Sequence, residues 1–83
     1  MTHEDFAGKV EEIRARLLPD FDAVASPQTW SGPHGDRVDY SASIIGPHSG
    51  GVVASSHYRA TPEESLSLLE KAARAYIAQR GPQ

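Results

Sequence analysis

The stretch from Thr61 to Gly81 constrains the fold most, because it has the pattern of one long amphipathic helix. Thr61 can cap the helix, Pro62 suits the first helical position, and Glu64 lies where a capping box requires an acid. Gly81 and Pro82 predict its end, since glycine accepts a left-handed turn and proline cannot continue a helix. Apolar residues recur at three- and four-residue steps along one face: Leu66, Leu69, Ala73, Tyr76 and Ile77. The remaining chain must supply a surface that buries this face.

A second helix is predicted at the start of the chain. Thr2 can cap it, and Asp5 lies three residues later, which is a weaker form of the same start signal. Pro19 ends the helix near Leu18, because proline disfavours helical backbone in the residue before it. Four apolar residues share one face of this helix: Phe6, Val10, Ile13 and Leu17.

Three strands are predicted between the helices. An irregular connector from Asp20 to Ser26 precedes a brief strand from Gln28 to Ser31. A longer strand from Arg37 to Ile45 alternates in character, and the last strand runs from Val52 to Arg59. We therefore predict an α+β fold in the order α-β-β-β-α, with a three-stranded antiparallel sheet and two helices packed on one face. The predicted core contains Ile13, Leu17, Ile44, Leu66, Leu69 and Ile77.

Length and composition limit the classes of protein. The 83 residues predict a single domain spanning residues 1–83 with a thin core. The chain has no cysteine, so disulfides and thiolate metal sites are excluded. The acidic start lacks the apolar run of a secretory signal, and no stretch approaches the roughly 20 apolar residues that span a bilayer. We expect a cytoplasmic protein without a membrane partner. The net charge of −3 makes nucleic acid a less favoured partner.

The order of the predicted elements resembles that of double-stranded-RNA-binding domains. The second loop of that family also tends to carry glycine, proline and histidine, and here it reads Gly32-Pro33-His34. The resemblance implies a module that binds RNA or DNA. The family places lysines at the start of the second helix to hold phosphates, whereas this chain has Pro62-Glu63-Glu64. Two carboxylates at that position would repel a phosphate backbone.

A second resemblance covers residues 50–77. The segment from Gly50-Gly51-Val52-Val53 through Thr61-Pro62-Glu63-Glu64-Ser65-Leu66, ending in Ala73 and Tyr76, is similar to the strand-to-helix segment of HicB-type antitoxins. This resemblance implies a regulator that acts by binding another protein.

Few residues suggest catalysis or cofactor binding. His34 and His48 both end a Gly-Pro-His triplet, but their loops flank opposite ends of one strand, roughly 30 Å apart. They therefore cannot share a metal ion, and we expect neither a metal nor a cofactor. Asp39 is predicted to lie across from His57 or Arg59, near several serines. Serine, histidine and aspartate together are the residue types of a hydrolase. A flat sheet offers no enclosed pocket and no oxyanion donors, so we do not expect an enzyme.

The sheet face that the helices leave open is the predicted working surface. Strand alternation places apolar, basic and acidic side chains there, a mixture found at protein interfaces. We expect a small regulator that binds a protein partner, as an antitoxin-like protein or a phage-type inhibitor. The same patch could instead join two copies as a homodimer. A nucleic-acid-binding module and a small hydrolase are the alternatives. The predicted partner-binding residues are Ile45, Val53, His57, Arg59, Asp39 and Trp30.

Overall fold

The computed structural model describes residues 1–47 and 51–80. Helix α1 spans His3–Leu17, strand β1 Asp22–Gly32, strand β2 Gly35–Ile45, strand β3 Val52–Ser55 and helix α2 Pro62–Arg80. The strands form one antiparallel sheet in the order β1-β2-β3. Both helices pack on the same face of this sheet, and the predicted α+β fold is confirmed.

Both helices begin where their capping residues predict. The Thr2 hydroxyl accepts a hydrogen bond from the Asp5 amide at 3.0 Å, and the Asp5 carboxylate accepts one from the Thr2 amide at 3.3 Å. The Thr61 hydroxyl accepts a hydrogen bond from the Glu64 amide at 3.2 Å. These bonds satisfy amides that a helix start leaves without intrahelical partners. Local chemistry alone therefore sets both helix starts.

The core lies between the two helices and the inner face of the sheet. Its buried apolar residues are Phe6, Val10, Ile13, Leu18, Ala42, Ile44, Ala54, Leu69 and Ala73. Of the predicted core, Ile13, Ile44 and Leu69 are buried, and Leu17 and Leu66 are half-buried against that cluster.

The prediction that Ile77 is buried is wrong, since its side chain is 36% exposed. Helix α2 buries Ser65, Leu69 and Ala73, and Tyr76 continues this stripe by packing edge-on against Phe21. Ile77 is the next residue, about 100° further around the helix, so its side chain points away from that contact. No helix within the described residues is both long and apolar enough to cross a bilayer.

Strand β1 is longer than predicted, because the expected connector is part of it. The strand pairs with β2 along its whole length, from Asp22 opposite Ile45 to Gly32 opposite Gly35. Pro27 lies within this strand, although proline cannot donate a backbone hydrogen bond. It lies opposite Tyr40, whose backbone amide and carbonyl both bond to Arg59 on the other side. Pro27 therefore occupies a position where its missing donor would face solvent at the sheet edge.

The β1–β2 hairpin projects beyond the helices. Residues 28–37, which we call the hairpin arm, are all exposed, and the molecule measures 50 × 21 × 19 Å. Pro33 and His34 form the turn, and Gly35 has a φ of 111°, a backbone conformation that favours glycine. The sequence prediction of a turn at this point is confirmed.

Strand β3 ends at a buried serine pair. The Ser56 hydroxyl accepts a hydrogen bond from the Ala42 amide at 2.9 Å and lies 2.7 Å from the hydroxyl of Ser65 on α2. Both serines are buried. His57 then adopts a left-handed conformation with a φ of 56°. The regular alternation of side chains consequently stops at Ser56, which decides where the following residues point.

Replacing Ser56 with alanine is expected to lower the free energy of unfolding by about 1–3 kcal/mol. The change leaves the buried Ala42 amide without its acceptor and the Ser65 hydroxyl without its partner. Ser55→Ala is the matched control, because the exposed hydrogen bond that Ser55 accepts from the His57 amide is worth at most about 1 kcal/mol. Urea denaturation followed by circular dichroism measures both variants. Equal destabilisation by the two changes would contradict a structural role for the buried pair.

Candidate functional site

The sheet face opposite the helices carries an unusual share of exposed apolar surface. We call it the outer face, and its alternate residues on β1 and β2 include Val24, Trp30, Arg37, Asp39 and Ile45. Four large apolar or aromatic side chains are exposed there: Val24 at 45%, Trp30 at 43%, Val52 at 61% and Tyr58 at 50%. Scattered exposed apolar residues are ordinary, but a group that shares one uncovered face makes that face the candidate interaction surface.

Trp30 and Arg37 occupy the end of this surface on the hairpin arm. They are cross-strand partners, and the Arg37 guanidinium lies 6.0 Å from the centroid of the Trp30 ring. Arg37 Nε also lies 3.4 Å from Asp39 Oδ2. The cation thus sits between an aromatic ring and a carboxylate, which limits the orientations of all three groups. This cluster presents an aromatic ring that is held in place and remains open to solvent.

Tyr58 extends the outer face across the middle of the sheet. Its hydroxyl donates a hydrogen bond to Gln28 Oε1 at 3.2 Å. Gln28 is on β1 and pairs with Asp39 on β2, so the tyrosine ring crosses β2 to reach it. Half of the Tyr58 side chain remains exposed. Together, Tyr58 and Trp30 place two aromatic groups along one side of the hairpin.

Three of the predicted partner-binding residues, Trp30, Asp39 and Ile45, lie on the outer face. The outward placement of Val53 is wrong. A bulge between Ile44 and Ile45 sets Val52 opposite Ile45, and Val53 is half-buried against the core. The hydrophobic residue on the outer face at this point is therefore Val52.

The outward placement of Arg59 is also wrong. Arg59 pairs with Tyr40, whose ring packs on Phe6 of α1, and Arg59 Nε lies 3.9 Å from Glu64 of α2. The left-handed backbone of His57 reverses the alternation, so Tyr58 rather than Arg59 reaches the outer face. His57 is exposed beside α2 and does not face Asp39, whose ion-pair partner is Arg37. The arrangement of Asp39 and His57 that suggested a hydrolase is not formed.

Sequence reasoning missed Val24, Val52 and Tyr58. Val24 fell within the segment predicted as a connector, and uninterrupted alternation assigned Val52 and Tyr58 to the inner face. The continuous pairing of β1 with β2 depends on residues far apart in the sequence, and the turn at His57 depends on the backbone conformation of one residue. Neither feature leaves a strong local sequence pattern.

Ion pairs on the helices shift the pKa values of two carboxyl groups. Arg16 donates a hydrogen bond to Glu70, which lowers the pKa of that carboxyl, and Arg14 does the same for Glu11. The Arg16–Glu70 pair links α1 to α2. In residues 1–47 and 51–80, no group of three or more histidine, aspartate or glutamate side chains could hold a metal ion. His48 lies outside the described residues.

In comparisons with protein-family models, curated proteins and solved structures, no match to the chain was found.

Proposed function

We propose that this chain is a small non-catalytic regulator that binds a protein partner through its outer face. The observation that carries the proposal is the group of exposed residues Val24, Trp30, Val52 and Tyr58 on one open sheet face. An antitoxin-like protein or a phage-type inhibitor in the cytoplasm would act in this way, since each works by covering a surface of another macromolecule.

The chemistry of the outer face favours a protein over a small molecule. Tryptophan, tyrosine and arginine are the residue types enriched at the energetic centres of protein interfaces. Polar residues border the aromatic groups, as at the rim of such an interface: Ser26, Gln28, Asp39, Ser41 and Ser43. The face is an open sheet, whereas sites for small molecules are concave and enclose most of the ligand.

A nucleic-acid-binding function is the second candidate, and the order of the elements is the observation that favours it. The charges oppose it. Glu63, at the start of α2, lines a cleft that it shares with residues of α1. Three carboxylates of α1 also line this cleft, beside one lysine: Glu4, Asp5, Glu12 and Lys9. We expect no tight complex with double-stranded RNA in an electrophoretic mobility shift at low salt. Submicromolar binding that weakens steeply with added salt would favour this second function instead.

Affinity capture from cells of the source organism, with and without nuclease digestion, tests the proposed function. Tagged protein should retain one protein at near-stoichiometric yield, and digestion should leave that yield unchanged. Loss of the captured protein on digestion would indicate that nucleic acid bridges the two. Recovery of the tagged protein alone, at the mass of a dimer in solution, would identify a second copy as the partner.

A further inference from the structure

A groove runs along the free side of the sheet, between β3 and α2. We call it the edge groove, and it is separate from the outer face. Its helical wall consists of Leu68, Ala72 and Ala75, which recur at four- and three-residue steps along α2. This stripe differs from the stripe of Ser65, Leu69 and Ala73 that α2 buries in the core. The small side chains of the alanines leave the space that forms the groove.

The strand wall of the edge groove has backbone groups available for pairing. Strand β3 is an edge strand, because the sheet order places only β2 beside it in the described part of the chain. The Ser56 amide donates a hydrogen bond to the carbonyl of Ala42 on β2 at 3.0 Å, so it points toward β2. Backbone groups alternate in direction along an antiparallel strand, so the amide and carbonyl of Ser55 point away from β2. An extended chain lying in the groove would therefore find a donor and an acceptor at Ser55.

The charges around the edge groove are basic, although the chain has a net charge of −3. Of the residues that the structure describes, the ionisable ones lining it are His57, Arg59 and Lys71, with no carboxylate among them. Arg59 forms an ion pair with Glu64, which lies outside the groove, and Arg59 Nε is 3.9 Å from Glu64 Oε1. No carboxylate of the described residues lies within ion-pair distance of Lys71. Four other surface clefts each include at least one carboxylate among their lining residues.

We propose that the edge groove binds an extended acidic peptide segment, which adds to β3 as a fourth strand. Main-chain hydrogen bonds to an exposed strand edge provide affinity in such complexes, and pockets for alternate side chains provide specificity. Apolar side chains of the peptide contact Leu68, Ala72 and Ala75, and its carboxylates lie near Lys71. Pairing of two copies through β3 is disfavoured, because it would bring the basic residues of both grooves together. The proposal does not rest on the proposed function, since the outer face is on a different side of the sheet.

The probe is a blocked peptide with the repeat Val-Thr-Asp-Thr, which directs valine and aspartate to the same side of an added strand. It is compared with the same peptide carrying serine or lysine in place of aspartate. Amide chemical shifts of ¹⁵N-labelled protein are followed during each titration. Binding of the acidic peptide should shift the amides of Ser55, Leu68 and Ala72, and it should be roughly tenfold tighter than binding of the serine peptide. The lysine peptide should bind most weakly. Shifts confined to other surfaces, or equal binding of the three peptides, would overturn the proposal.

Two acidic peptides with N-methyl groups on alternate residues test strand addition directly. In an added strand, only every second amide faces the strand edge. One methylated peptide should lose binding by at least about tenfold, while the other binds as the parent does. Equal binding by both methylated peptides would contradict strand pairing.

Lys71→Glu is the matching protein variant, and Arg74→Glu is its control. Both change the net charge by the same amount and lie on α2, but Arg74 pairs with Glu70 away from the edge groove. Lys71→Glu should lower the affinity for the acidic peptide by roughly fivefold or more, because it replaces charge attraction with repulsion. Arg74→Glu should change that affinity by less than about twofold. Equal losses would mean that only net charge matters and would overturn the proposal. Trp30→Ala should leave peptide affinity unchanged, which separates this site from the outer face.

Discussion

Replacing Leu69 with alanine is expected to lower the free energy of unfolding by about 2–5 kcal/mol. The Leu69 side chain is fully buried and belongs to the cluster in which α2 meets Phe6 of α1 and Ile44 of β2. Truncation removes apolar contacts on all sides and leaves a cavity that the surrounding backbone cannot close completely. Domains of this size commonly have a total stability of about 5–15 kcal/mol, so the loss is a large share of it.

Ile77→Ala is the matched control for this prediction. Ile77 is on the same helix two turns later and carries a side chain of the same size, but it is 36% exposed. Its truncation should cost less than about 1 kcal/mol, because only part of its surface is removed from water in the folded state. Urea denaturation monitored by circular dichroism compares the two variants at constant protein concentration. A cost below about 0.5 kcal/mol for Leu69→Ala, or equal costs for the two, would mean that the register of α2 is wrong.

Trp30→Ala is expected to weaken binding to the protein partner by about 2 kcal/mol or more, which is roughly a thirtyfold rise in Kd. Trp30 presents a large aromatic surface that Arg37 and the β-hairpin already hold in place. An aromatic group ordered before binding loses little conformational entropy when the partner covers it. Trp30 is also on the exposed hairpin arm, away from the core, so its removal should leave the melting temperature nearly unchanged.

Ile77→Ala serves as the control for partner binding as well. It removes an exposed apolar side chain from the helical side of the molecule, where the proposal places no contact. Titration calorimetry with the partner identified by affinity capture measures both variants. An unchanged Kd for Trp30→Ala with folding intact would place the binding surface elsewhere.

The parts of the fold that depend on local chemistry could be predicted from the sequence. Thr2 and Thr61 determine the helix starts through hydrogen bonds to residues three positions later. The strand alternation around Ala42 and Ile44 correctly identified the inner face of β2. In each case the relevant interaction or period spans only a few residues, so the sequence pattern carries most of the information.

The parts that depend on pairing across the chain were not predicted correctly. The alternating pattern of β1 is weak, and its extent is determined by its pairing with β2 along the full hairpin. The bulge beside Ile45 and the left-handed backbone of His57 then change which residues of the last strand face outward. Strand side chains alternate with a period of two, and each irregularity breaks that period locally. The bulge changes the sides of Val52 and Val53, while Ala54 and Ser56 still face the core. Val53 and Arg59 were misplaced for this reason, while Trp30 and Asp39, which precede both irregularities, were placed correctly.

Photo-crosslinking from the outer face tests the central claim most directly. A benzoylphenylalanine is installed in place of Tyr58 in one variant and in place of Ile77 in another, and each is irradiated in cells of the source organism. Both positions are exposed, but only Tyr58 is on the outer face. A covalent adduct with one defined protein is expected from the Tyr58 position and none from the Ile77 position. An adduct that forms only from Ile77, or a crosslink from Tyr58 only to nucleic acid, would contradict the central claim.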